Sequence, residues 1–126
     1  MNILFVEMEQ HNLHFMKKLV EDGHTVYTNQ NESSNYLKSL GINPLTELPY
    51  QIWATDLVDK KDFAKVGNGL PSIIAERFSE VLEKYKIDLV INTYPPFNEI
   101  MHMKDWGVEF ISASPDAIKL ETEKIF

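Results

Sequence analysis

Short apolar runs alternate along the chain with longer stretches in which apolar residues recur every three or four positions. Ile3, Leu4, Phe5 and Val6 form the first run, bounded by polar residues and too short for a buried helix. It reads as a strand covered on both faces, as in a parallel sheet. Mostly polar residues 7–12 follow. Leu13, Met16, Leu19 and Val20 then recur at helical spacing, with Lys17 and Lys18 on the other side. Gly23 sits where a helix C-cap is expected. Residues 24–28, His-Thr-Val-Tyr-Thr, predict a second strand. Strand, helix, strand within 28 residues is the opening of a parallel unit.

The rest of the chain repeats the alternation. Residues 34–40 read as a short helix closed by Gly41, and residues 51–57 as an edge strand. Pro71 suits the first helical position of a long helix with Ile73, Ile74, Phe78, Val81, Leu82 and Tyr85 on one stripe. Residues 87–93, Ile-Asp-Leu-Val-Ile-Asn-Thr, form the second buried-strand signature. Pro95 and Pro96 force a loop, a helix is expected over 98–106, and Gly107 ends it. Residues 108–112 make the last strand. Ser114 as N-cap and Pro115 as N1 open a final helix, 116–126. The fold class is therefore α/β: a Rossmann-like, doubly wound parallel sheet of four or five strands, with helices on both faces. Its strands are expected at 3–6, 25–28, 89–92 and 109–112.

Composition narrows the function classes. A chain of 126 residues suits a single domain. Its 12 Lys+Arg against 19 Asp+Glu give a formal net charge of -7, which argues against nucleic acid and anionic membranes as partners. Cysteine is absent, so thiolate metal sites, disulfides and thiol nucleophiles are excluded. No apolar stretch approaches a membrane span and no basic n-region opens the chain. The expected location is the cytoplasm.

In open α/β sheets, ligands collect beyond the carboxyl ends of the strands. The loops 7–12, 92–98 and 112–114 qualify. The first has no glycine and carries Glu7 and Glu9, which argues against a dinucleotide phosphate site. Glu7, Glu9, His11 and His14 are metal-ligand types, but a solvated loop entering a helix explains them more simply, and no metal site is assigned. No catalytic triad is assigned, because no serine lies in a nucleophile-elbow context. The expected small-molecule site lies between the loops 7–12 and 92–98, with His11, Asn12, Asn92, Thr93, Tyr94 and Asn98 as substrate-binding residues. These are mostly neutral hydrogen-bonding groups, which suit a polar metabolite better than a bare polyphosphate.

Two segments carry a family likeness. Asp88-Leu-Val-Ile-Asn-Thr, and then the run from Gly107 through Ile111-Ser-Ala-Ser-Pro-Asp to Leu120-Glu121, Lys124 and Phe126, resemble the end of a pre-ATP-grasp domain. Residues 1–19 fit that domain's first strand and helix in register. Such domains open the ATP-grasp carboxylate–amine ligases, and the likeness is greatest to phosphoribosylamine–glycine ligase. The phosphate loop of that ligase, Gly-Gly-Arg-Glu-His, falls on residues 9–13 and is not matched. The resemblance implies the N-terminal substrate-binding domain of a purine-biosynthesis-type ligase, with residues 1–126 as one domain of a longer chain. It implies ATP and magnesium held by the rest of the ligase, with no cofactor in this chain and no turnover by it alone. Two weaker likenesses stay open. One is to the methylglyoxal synthase-like binding domain, through residues 87–93. The other is to the N-terminal half of a glycosyltransferase, through Asp22-Gly-His-Thr-Val.

Overall fold

The computed structural model describes residues 1–7, 12–48, 70–94, 97, 101–102 and 105–112, with side chains in the long helix from Glu76 onward. Five strands form one all-parallel sheet: β1 (Asn2–Val6), β2 (Thr25–Thr28), β3 (Asn43–Pro44), β4 (Leu89–Asn92) and β5 (Glu109–Ser112), in the order β3-β2-β1-β4-β5. Among the described residues, three helices have full ranges: α1 (Leu13–Glu21), α2 (Ser34–Ser39) and α3 (Leu70–Lys84). This is an α/β, Rossmann-like fold. β1 pairs with β2 on one side and β4 on the other, Leu4 lying opposite both Tyr27 and Val90. The order of successive strands therefore reverses beside β1, which makes the β1–β4 gap the switch point of the sheet.

Strand pleating divides the core in two. Ile3, Phe5, Val26, Leu89 and Ile91 turn to one face, where Met16 and Leu19 of α1 and Leu37 of α2 pack. Leu4, Val6 and Val90 turn to the other, against Phe78 and Val81 of α3 together with Leu45, Leu48, Tyr94 and Phe97. Helices on both faces explain why β1 and β4 are apolar without alternation. Ile73 and Ile74 of the predicted α3 stripe lie outside the described side chains.

α1, α2 and α3 hand over to their strands through the same turn. The N–H of the second residue past the cap bonds back to the helix in each case: His24 to Leu19 O, Ile42 to Leu37 O and Ile87 to Leu82 O. This is the Schellman arrangement, and it needs a left-handed residue one position earlier. Gly41 serves at φ +81° after α2, whereas Lys86 takes φ +54° after α3. A Cβ at Gly41 would lie 2.8 Å from Val20 Cγ1, so backbone strain and a clash between α1 and α2 coincide there. Gly41→Ala is expected to cost about 1–3 kcal/mol, read as a lower urea midpoint at unchanged m-value; an unshifted midpoint would contradict this turn geometry.

Some boundaries depart from the sequence expectation. The fifth strand is Asn43–Pro44, while the expected edge strand at 51–57 lies outside the described residues. Proline is tolerated in β3 because the strand is at the sheet edge. α3 starts at Leu70, one residue before Pro71. The helix expected over 98–106 is shorter at its end: Met101 is helical, but Asp105 and Trp106 are not. There the Asp105 carboxylate accepts the Gly107 N–H at 2.9 Å, closing a local turn in place of another helical one. The final helix, 116–126, lies outside the described residues. Among the described residues, no helix is long and apolar enough to cross a membrane.

Candidate functional site

Glu7 follows β1 at the switch point and is completely buried. Its backbone is held by side chains from the exit of β2. The Glu7 N–H donates to Asn29 Oδ1 at 2.8 Å, and Asn29 Nδ2 donates back to the Glu7 carbonyl at 2.9 Å. The Asn29 amide thus imitates a strand and extends the β1–β2 ladder by one step. Gln30 Nε2 donates to the same carbonyl at 2.6 Å. On the other side, the Thr93 N–H donates to Val6 O at 3.0 Å and continues the β1–β4 ladder.

With its backbone fixed, the Glu7 side chain meets the start of α1. Asn12 is the N-cap of that helix, yet its side chain makes no capping bond. Its Nδ2 donates instead to Glu7 Oε1 at 2.5 Å. A side-chain cap contributes typically about 1 kcal/mol of stability, so α1 forgoes this contribution in favour of the buried carboxyl. Glu7 Oε2 and Thr93 Oγ1 are both buried and have no hydrogen-bond partner among the described residues. Burial pushes the Glu7 carboxyl up to about 7, and the Asn12 hydrogen bond opposes that rise.

Four of the six expected site residues are described, and the sheet separates them. Asn12 meets Glu7 on the α1 face, and strand alternation puts Thr93 on that face too. Asn92 and Tyr94 belong to the α3 side. Asn92 Oδ1 accepts the Tyr94 N–H at 2.9 Å, its Nδ2 contacts Met101 Sδ at 3.3 Å, and Tyr94 packs with Leu4, Val6 and Phe78. These two residues shape the turn after β4. His11 and Asn98 lie outside the described residues. Sequence reasoning did not include Glu7, Asn29 or Gln30 among the binding residues. The available signal was a run of amide side chains after β2, where a solvated loop would more often carry charge.

The cluster does not suit a polyphosphate. Its members are one carboxyl and neutral amides, and among the described residues no Lys or Arg is bonded to it. Among the described residues, two surface hollows lie away from this cluster. One of about 410 Å³ is lined by Thr46, Glu47, Arg77, Glu80, Val81 and Lys84; another of about 260 Å³ lies beside Trp106. In the larger, the Tyr85 hydroxyl donates to Glu47 Oε2 and Lys84 Nζ lies 3.6 Å from the same oxygen. Burial raises the Glu47 carboxyl, but the Tyr85 bond and the Lys84 charge outweigh it and hold the group below its usual range. These contacts tie α3 to the segment after β3, a structural role. No family model matches the chain, and no curated protein matches it.

Proposed function

We propose that this chain binds a small polar metabolite between the carboxyl ends of β1 and β4, as the N-terminal domain of an ATP-dependent carboxylate–amine ligase of the pre-ATP-grasp kind. The observation that supports binding is the Glu7–Asn12 pair at the switch point. A fully buried acid is retained there with one oxygen unpartnered, and a helix cap is diverted to hold the other. Buried polar groups left unsatisfied are costly, so an unpaired oxygen on a buried acid calls for a partner that a ligand can supply. The ligase half of the reading draws on the resemblance of residues 88–93 and 107–126. On this reading ATP and magnesium belong to other parts of the ligase, and this chain orients one substrate without performing chemistry.

The test is an amide chemical-shift map of the chain against amines, amino acids and sugar phosphates. Perturbations are expected at Glu7, Asn12, Asn29 and Thr93. Shifts gathered instead around Thr46, Glu47 and Lys84 would overturn the site. Calorimetry with ATP and magnesium is expected to show no micromolar binding to the 126-residue chain; such binding would contradict the division of labour.

A further inference from the structure

Several described polar atoms around Glu7 are committed. Asn29 spends both ends of its amide on the Glu7 backbone, Gln30 Nε2 donates to the Glu7 carbonyl, and Asn12 Nδ2 occupies Oε1. Among the described residues, Glu7 Oε2 and Thr93 Oγ1 are buried atoms of this cluster with no hydrogen-bond partner. Glu7 is 0% exposed and Thr93 9%, so neither atom is satisfied by bulk water. The ladder sets the two residues side by side, since the Thr93 N–H bonds to the carbonyl of Val6, the residue before Glu7.

Resting on the binding site proposed above, we infer that Glu7 and Thr93 select a small primary amine that carries a neighbouring hydroxyl. The ammonium group donates to Glu7 Oε2, and the ligand's hydroxyl pairs with Thr93 Oγ1. A cation is favoured over a neutral donor because the described groups bonded to Glu7 are uncharged, so the ligand supplies the countercharge that burial makes valuable. An anionic ligand would meet the carboxyl. Because Oε2 is closed to solvent, entry requires local opening, and association is slower than diffusion allows.

The experiment titrates the 126-residue chain with three probes of similar size: ethanolamine, ethylene glycol and glycolate. Ethanolamine is expected to perturb the amides of Glu7, Asn12 and Thr93, with the other two much weaker. Glu7→Gln keeps an acceptor for Asn12 Nδ2 and is expected to weaken ethanolamine about thirtyfold or more. Thr93→Val removes only the hydroxyl and is expected to weaken it about fivefold; it provides an independent check if Glu7→Gln does not fold. Equal binding of glycol or glycolate at these residues, or unchanged ethanolamine affinity in a folded variant, would overturn the amine selection and leave the binding site standing. If no probe perturbs these residues, while other ligands in the wider map do, the selection again fails alone. If nothing perturbs them, both readings fail.

Discussion

Phe78→Ala is expected to lower stability by about 3–5 kcal/mol. Phe78 is fully buried in α3 and sits at the centre of an aromatic group. Its ring meets Phe97 and Trp106 edge-on, with centroids 5.0 and 4.9 Å away, and Phe110 of β5 at 5.9 Å. Truncation therefore opens a cavity between α3 and the β4–β5 side of the sheet, and it removes edge-to-face contacts worth about 0.5–1.5 kcal/mol each beyond their burial. Domains of this size hold about 5–15 kcal/mol in all, so the variant should sit near the edge of folding. Urea unfolding measures the loss. Phe78→Leu, which keeps a branched apolar side chain, should lose less; a loss under about 1 kcal/mol for the alanine variant would mean that the site collapses to fill its own cavity.

Stability should also fall as pH rises from about 4.5 to about 7. Glu7 is raised in the folded state, so over this interval the folded chain keeps a proton that the unfolded chain has released. Below the interval both states are protonated and the contribution is fully present; above about 7 it is gone. The shift from 4.5 to about 7 corresponds to about 3 kcal/mol. Glu47 is shifted the other way, so its contribution is lost only as pH falls below about 4.5, outside this interval. The difference between wild type and Glu7→Gln isolates Glu7: the variant should gain relative stability as pH rises from about 4.5 to about 7 and hold it above. Parallel profiles would contradict the burial of this carboxyl.

The sheet was legible wherever burial on both faces removes alternation. Ile3–Val6 and Leu89–Ile91 are uninterrupted apolar runs because α1 and α2 cover one side and α3 the other. β3 was not legible. Two residues, Asn43 and Pro44, carry neither β propensity nor periodicity, and the strand exists because Tyr27 and Thr28 template it. Its trace in the sequence is the flanking pair Ile42 and Leu45, both buried. The loops after β1 and β4 stood out in the sequence as polar ends of apolar strands, but the buried cluster around Glu7 did not. Glu7 read as a charge that repels phosphate from a wet loop. Nothing local distinguishes a buried glutamate from an exposed one, and the groups that fix its backbone, Asn29 and Gln30, lie more than twenty residues away. Asn12 read as a helix-entry residue, and its diversion to Glu7 is visible only in three dimensions.

A carbon-13 titration of the Glu7 side-chain carboxyl tests the central claim most directly, because it observes the group on which the site is built. The account predicts a midpoint near 7 in the free chain, falling when ethanolamine is added as the ammonium stabilises the ionised form. A midpoint near the ordinary 4.5, unmoved by ethanolamine, would contradict it.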